Sequence, residues 1–349
     1  MINHHLNSLD KKIDRRFFLK SLSLMGIGFT ANPVLASPLN PIKFSKDMFM
    51  TKKTKVLMST YVTITLLDSS KTKIEEGVEE TFAEIKRLAA MLNRHTDNSS
   101  VAELNKTGFQ KNVLPEIQSV LGASFHYHSI SNGAFDITVK PLIDIYKDSF
   151  IIENKPPDIK KINEALKLID TKNIYFDSKE IRFQKEGMGI TFDGIAKGYI
   201  VDKGIELLQK KGVKHALINA GGDIRALGGK RENIPWKIAI KDPHENKRYK
   251  TIIPLYNRAV ATSGNYEIFY DKDKIYHHII NPASGFSPHQ SLSVSVVAEN
   301  TMAADALATT AFVLGPDKSI KFIENLEDTE GLIIDPQNRV KKSLGWKEI

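Results

Sequence analysis

Cysteine is absent from all 349 residues of the sequence. The chain therefore has no disulfide, no thiolate metal site, no cysteine nucleophile and no N-terminal cysteine for lipid attachment. Aromatic residues make up only 8% of the chain, and no basic stripe interleaved with aromatics is present. The sequence thus lacks the usual pattern of a nucleic-acid-binding surface.

Charge of one sign is not concentrated in any block. The chain has 49 Lys and Arg against 41 Asp and Glu, a net charge of +8, and the lysines are scattered. An ordinary solvated surface explains this balance and leaves an anionic small ligand open. With 41% hydrophobic and 26% charged residues, the composition is that of a folded globular protein and excludes disorder as the main state.

Several well-known ligand motifs are also missing. The sequence contains neither G-x-G-x-x-G nor G-x-x-x-x-G-K-[ST], and no serine-hydrolase elbow. What it has is three glycine- and hydroxyl-rich loops, at residues 193–198, 221–223 and 261–265. Each alone is typically a turn, but the first adds Lys197 at the start of a helix, a combination that suits a diphosphate.

Residues 1–36 have the pattern of a signal peptide. Lys11, Lys12, Arg15 and Arg16 precede a weakly apolar, glycine-containing run, and residues 34–36 offer small side chains for cleavage. The Arg15-Arg16 pair before Phe-Phe-Leu-Lys resembles a twin-arginine export signal, although a basic amphipathic helix is the alternative. We therefore predict periplasmic export of a mature domain at residues 37–349.

Hydrophobic periodicity predicts one interlocked α+β domain. Apolar residues recur every three or four positions over 74–92, and further helices are predicted from Pro115, after Asp158, at 199–211 and at 301–314. β-branched and alternating segments predict strands at 56–67, 174–176, 181–183, 187–192, 216–218, 236–240, 249–255, 259–261 and 292–298. Helices mixed with antiparallel hairpins favour α+β over a doubly wound sheet.

The last of these helices carries Asp305 and Thr309, which are four residues apart. Their oxygens therefore project from one face of the helix. A carboxylate and a hydroxyl so placed can form part of a Mg²⁺ shell. The alternative is structural: an aspartate in a first helical turn complements the dipole, and a threonine can bond back to a carbonyl.

Adjacent histidines at 277 and 278 precede Ile279-Ile280-Asn281-Pro282. On an extended segment, alternation sends one imidazole inward and the other outward. A histidine in such a position is more often a hydrogen-bonded core residue than a catalyst.

Six ordered segments together resemble the ApbE family of FAD:protein FMN transferases, over about residues 56–330. They are residues 133–138, 194–199 with Asp202, 219–224, 261–264, 278–282 with Gly285, and 304–309. The resemblance implies an ApbE-type fold with FAD as substrate in a cleft between two halves. It also implies Mg²⁺ at the diphosphate and transfer of FMN to a Thr or Ser hydroxyl of an acceptor protein, with release of AMP.

The resemblance also assigns roles to individual residues. Gly194, through its carbonyl, Asp305 and Thr309 become metal ligands, and Lys197 approaches the phosphates. The remaining expected flavin contacts are Met58, Ser59, Thr60, Ala134, Phe135, Asp136, Thr262, Ser263, Gly264 and Ile280.

This sequence departs from the family pattern at four positions. Ser59 replaces a usual Gly, and His95 replaces an aromatic Tyr that stacks on a ring, a role that imidazole can also fill. Thr191 stands where Asp is frequent, and Asn281 replaces the usual Asp before Pro. None of these changes removes a predicted metal ligand.

The chemistry implied needs a base for the acceptor hydroxyl, and we predict His278, with Asp136 or Asp193 as alternatives. Two other functions fit the same residues: an FAD pyrophosphatase that gives FMN and AMP, and a periplasmic FAD carrier. The family commonly works outside the cytoplasmic membrane, and its resemblance suggests a membrane-associated respiratory subunit as acceptor.

Overall fold

The computed structural model describes residues 41–245, 248–266, 269–271 and 275–349. The predicted export segment lies outside these residues. The helices are α1 (Lys71–Leu92), α2 (Ser100–Thr107), α3 (Pro115–Ile130), α4 (Lys140–Ile151), α5 (Ile159–Leu166), α6 (Ala196–Lys210), α7 (Thr301–Leu314) and α8 (Pro316–Glu324). The strands are β1 (Ile42–Ser45), β2 (Met48–Leu57), β3 (Thr60–Asp68), β4 (Phe109–Lys111), β5 (Ile174–Phe176), β6 (Glu180–Phe183), β7 (His215–Ala220), β8 (Asp223–Leu227), β9 (Trp236–Lys241), β10 (Tyr249–Leu255), β11 (Ala259–Gly264), β12 (Ser293–Ala298), β13 (Glu330–Ile334) and β14 (Val340–Lys342).

A nine-stranded sheet organises the chain, in the order β1-β2-β3-β7-β8-β11-β12-β13-β14. Every neighbouring pair in it is antiparallel. The pairing of β3 with β7, from Val62 opposite Ala220 to Leu67 opposite His215, joins the N-terminal strands to the middle of the chain. The predicted α+β fold is confirmed.

The two faces of this sheet are covered differently. Alternation sends Val62, Ile64 and Leu66 into the core shared with α1 and α6, whereas Leu67 packs with the hairpin β9–β10. Trp236 and Leu255 contribute to this second core. The molecule is therefore layered as helices, sheet and hairpin.

Helices α6 and α7 lie together on the helical side. Buried residues of α6 include Gly198, Val201 and Ile205. Helix α7 packs on β11 and β12, where Ala304 meets Ala259 and Ala261. Small side chains at this contact let α7 lie close to the sheet. No helix in the described part of the chain is both long and apolar enough to span a membrane.

Some predicted elements are wrong. Residues 187–192 form no strand, because the side chain of Asn105 replaces a neighbouring strand: it accepts from the Ile190 amide at 2.6 Å and donates to the Ile190 carbonyl at 2.9 Å. Residues 58 and 59 interrupt the predicted strand 56–67 as a turn. The loop predicted at 261–265 is instead largely the end of β11.

Candidate active site

The contact between α6 and α7 fixes the side chain of Asp305. Its Oδ2 accepts a hydrogen bond of 3.0 Å from the amide of Gly198, in the first turn of α6. The residue is only 6% exposed. Asp305 is the fifth residue of α7, and the first turn of that helix has no acidic residue. The alternative of a first-turn aspartate that complements the dipole is therefore wrong.

Thr309 and Gly194 lie beside this carboxylate-bearing face. Thr309 is one helical turn beyond Asp305, and its Oγ1 is 3.3 Å from Ser263 Oγ on β11. A Cβ atom placed on Gly194 would lie 3.2 Å from Thr309 Oγ1, so this part of the 193–198 loop touches α7. The three predicted metal ligands are thus brought to one place, although Gly194 and Asp305 are 111 residues apart in the sequence.

The donor types at this place fit Mg²⁺. The expected set is a carboxylate, a hydroxyl and a backbone carbonyl, all of them the oxygen ligands that this ion prefers. Asp305 is buried, whereas Thr309 is partly exposed, so the set opens toward solvent on one side.

Lys197 joins two of the three predicted loops. Its Nζ lies 3.1 Å from Oδ2 of Asp223, which directly follows Gly221 and Gly222. The Asp223 side chain is 1% exposed and that of Lys197 is 27% exposed. A buried carboxylate therefore fixes the position of this partly exposed ammonium group in the first turn of α6.

The turn between β2 and β3 approaches the same glycines. Met58 and Ser59 both have positive φ, at 52° and 58°. Gly221 donates from its amide to the Tyr61 carbonyl at 3.2 Å, and a Cβ on Gly221 would lie 2.4 Å from Thr60 Oγ1. Only glycine fits this approach. Glycine adopts the positive φ of Ser59 more readily than serine does, so the glycine expected from the resemblance would suit this backbone.

Phe135 reaches the Gly194 loop, and Asp136 does not. A Cβ on Gly194 would lie 3.5 Å from Phe135 Cε2, while Ala134 packs partly buried against the core around α7. The Asp136 carboxylate instead accepts from the amides and hydroxyls of Thr138 and Thr171, at 2.5–3.0 Å.

His128 completes this network, with Nδ1 3.1 Å from Asp136 Oδ2 and Nε2 3.3 Å from Asp170 Oδ1. Burial works to raise the pKa of Asp136, but the hydrogen bonds from His128 and Thr138 outweigh it and the pKa is lowered. A carboxylate with five donors and a lowered pKa is a poor proton acceptor. These contacts therefore make Asp136 a poor candidate for the catalytic base. They favour a structural role in which Asp136 helps to hold the neighbouring Phe135 in place.

His95 lies at the exposed edge of the site region, where its amide donates to Asn93 Oδ1 at 2.9 Å. The side chain of the preceding Arg94 is buried and donates to Asp193 Oδ2 at 3.1 and 2.9 Å. Thr191 is buried, and its Oγ1 accepts from the Asp193 amide at 3.2 Å. Asp193 is thus held by Arg94, which weakens it as an alternative base.

His277 and His278 differ in burial, as alternation predicts. The segment that contains them forms an isolated β-bridge, between His277 and Phe269, and not a longer strand. His277 is fully buried, its Nε2 lies 2.9 Å from the Pro288 carbonyl, and its ring meets Phe312 of α7 edge-on at 5.6 Å. Burial lowers the pKa of His277 to about 4. His278 is only partly buried, and Ile280 packs with Leu142 and Tyr146.

The β11 residues divide between the two faces of the sheet. Ser263 faces α7, as the contact with Thr309 shows, whereas Thr262 bonds to Ser295 at 2.8 Å. Gly264 lies against the ring of Tyr266, which a Cβ would approach to 2.4 Å. The side chain of Thr262 is thus not brought to the metal ligands.

Sequence reasoning missed the buried partners of the site. The sequence alone did not predict the contacts of Arg94 with Asp193, of His128 with Asp136, or of Asp202 with Thr301. In the first and third pairs the partners are 99 residues apart, and in the second a turn separates them. The only available signal was a charged residue within an otherwise apolar helical pattern, as at Asp202.

A family model described as the ApbE family matches residues 58–333. The chain belongs to the ApbE family. Curated relatives include an FAD:protein FMN transferase of Haemophilus influenzae, 30% identical over 84% of this chain and 90% of the relative. A protein of the same name from Treponema pallidum is 29% identical over 78% of this chain and 81% of its own length.

Solved ApbE structures share this fold. An ApbE protein from Thermotoga maritima superposes with a TM-score of 0.77 at 31% identity, over 84% of this chain and 97% of that one. The apo flavinyl transferase ApbE of Pseudomonas stutzeri gives 0.73 at 24% identity, over 84% and 95%. Membership of the ApbE family, the fold class and the prediction of an enzyme are confirmed.

Proposed function

We propose that this ApbE protein transfers FMN from FAD to a Thr or Ser hydroxyl of an acceptor protein and releases AMP. The observation that carries the proposal is the meeting of Gly194, Asp305 and Thr309 at the α6–α7 contact. Lys197 at the start of the same α6 adds a cation for a phosphate. The names of the curated relatives support flavin transfer as the reaction.

The reaction forms one bond and breaks one. The acceptor oxygen attacks the phosphorus nearer the flavin, the bond from that phosphorus to the bridging oxygen breaks, and AMP leaves with the bridging oxygen. Lys197 stabilises negative charge that develops on the phosphate oxygens. Asp305, Thr309 and the Gly194 carbonyl would hold Mg²⁺, which neutralises the diphosphate when bound.

The hydroxyl proton needs an acceptor, and His278 is our first choice. Its neighbour His277 is committed to the core, and Asp136 and Asp193 are engaged by other side chains. His278 is the partly exposed histidine of the pair. A neutral imidazole there can take the proton as the new P–O bond forms.

The experiment that tests this function incubates the protein with FAD, Mg²⁺ and a candidate acceptor, a membrane-associated respiratory subunit with an exposed Thr or Ser site. We expect covalent flavin fluorescence on the acceptor and one AMP per flavin transferred. Free FMN without labelled acceptor would instead indicate a pyrophosphatase. Intact FAD after binding would indicate a carrier.

We also propose that the protein acts in the periplasm after twin-arginine export. The Arg15-Arg16 pair before a weak apolar run supports this. Replacing both by Lys should retain the protein in the cytoplasm, measured by fractionation against the native chain. Unchanged export of the double variant would contradict the proposed route.

A further inference from the structure

Helices α6 and α7 are joined at their N-terminal ends, where an aspartate of each helix accepts hydrogen bonds from backbone amides in the first turn of the other. Asp202 of α6 accepts from the first two amides of α7, Thr301 at 2.9 Å and Met302 at 2.8 Å. In return, Asp305 of α7 accepts from Gly198 of α6 at 3.0 Å. Residues 198 and 202 are four apart on one helix, and 301 and 305 are four apart on the other, so the two pairs close a ring.

The backbones approach very closely within this ring. A Cβ on Gly198 would lie 2.3 Å from the Thr301 carbonyl oxygen and 2.7 Å from Met302 Cα. Such a contact tolerates almost no sliding of one helix along the other. The Asp202 carboxylate, whose side chain is 14% exposed, also has the Arg225 guanidinium at 3.8 Å on its outer side.

The position of Asp305 therefore depends on Asp202. If Asp202 released the Thr301 and Met302 amides, these two donors in the first turn of α7 would lose their acceptor, and Asp305, one turn later, would lose its register against Gly198. Thr309 lies one turn beyond that. The helix that carries two expected metal ligands is thus held in place from its N-terminal end.

We propose that Asp202 is a positioning residue for the metal site: by binding the N-terminal amides of α7, it sets the place of Asp305 and Thr309 and so the affinity for a divalent cation. This inference rests on the proposed function for the identity of the ligands. Residues that orient a metal ligand typically change metal affinity by about 10- to 100-fold when they are lost.

The test measures Mn²⁺, a spectroscopic substitute for Mg²⁺, bound to the full chain with FAD and no acceptor, by electron paramagnetic resonance. Asp202→Ala should raise the Mn²⁺ Kd by about 10-fold or more. Asp202→Asn, which keeps one acceptor oxygen, should show a smaller increase and gives the answer if the alanine variant does not fold. Melting temperature is recorded for each variant.

Asn300→Ala is the matched control, because the Asn300 side chain caps the same helix by accepting from the Ala303 amide of α7 itself, at 2.8 Å. It should lower the melting temperature and leave the Mn²⁺ Kd unchanged. Equal changes in Kd for Asn300 and Asp202 variants, or native Kd in Asp202→Asn and Asp202→Ala, would overturn the proposal. If the native protein binds Mn²⁺, the Asp202 variants bind it more weakly, and the native protein still transfers no FMN, then the proposed function fails while the positioning role stands.

Discussion

Single atoms decide whether the proposed metal site can form, and Asp305 is the residue to change first. Asp305→Asn keeps an acceptor for the Gly198 amide at 3.0 Å, so we expect a folded protein with a melting temperature near that of the native chain. Loss of the charge should lower FMN transfer by at least about 10²-fold, because a bound cation contributes several kcal/mol to the transition state. The measurement is single-turnover transfer at saturating FAD.

Asp305→Ala serves as the comparison. It leaves the buried Gly198 amide without its acceptor, a cost of about 1–3 kcal/mol, and should therefore melt earlier than Asp305→Asn while being equally inactive. Transfer at the native rate by either variant would remove Asp305 from the metal site.

The adjacent residues His277 and His278 offer a second test. His278→Asn should slow transfer by about 10²–10⁴-fold with FAD affinity nearly unchanged, because the proton it accepts is on the acceptor. His277→Asn should instead lower the melting temperature, since His277 is fully buried and bonded to the Pro288 carbonyl. Equal losses of transfer in both variants would exclude His278 as the base.

Elements formed as the sequence predicts wherever local chemistry sufficed. Helix α1 buries Ile74, Val78 and Phe82 at the expected spacing, and Asp158 caps α5 through the Lys160 amide. Most of strand β2 was not predicted, because its Thr-Lys-Lys-Thr-Lys segment lacks the alternation of apolar and polar residues that indicates a strand. The Asp305–Thr309 pair was found because both lie on one helix, whereas the Asp202–Thr301 contact spans 99 residues that carry no periodic signal.

The close contact between α6 and α7 at Gly198 leads to a further prediction. Gly198→Ala should separate the helices, because the added Cβ would lie 2.3 Å from the Thr301 carbonyl, and overpacking of this kind costs about 1–3 kcal/mol. Thermal melting and Mn²⁺ binding should both deteriorate. Gly122→Ala, in α3, is the control: its Cβ would meet nothing within 4 Å, and a gain of up to about 1 kcal/mol is expected from helix propensity. Equal stability of both variants would contradict the close crossing.

At the scale of the whole molecule, two buried histidines give stability opposite dependences on pH. Burial lowers the pKa of His277 from 6.5 to about 4, so the unfolded chain takes up a proton there first and stability falls between pH 6.5 and 4, by on the order of 3 kcal/mol. The hydrogen bond to Asp136 raises the pKa of His128 above 6.5. Its stabilisation is complete below that pH and is lost as pH rises through the folded-state pKa.

Melting curves from pH 4 to 9 check this directly. His277→Gln should flatten the acid side and His128→Gln the alkaline side, each relative to its own maximum. Parallel curves for the native protein and both variants would show that neither histidine governs the pH dependence.

The antiparallel sheet pairs β3 with β7 and β11 with β12, and α7 packs on β11 beside the Gly194 loop. Since Gly194 and Asp305 are separated by more than 100 residues, no short fragment of the chain contains the whole of the proposed cation site. Contacts so distant in sequence form slowly, because loop closure must come first. Because synthesis proceeds from the N-terminus, the proposed cation site cannot be complete until α7 has been made and has docked against the Gly194 loop.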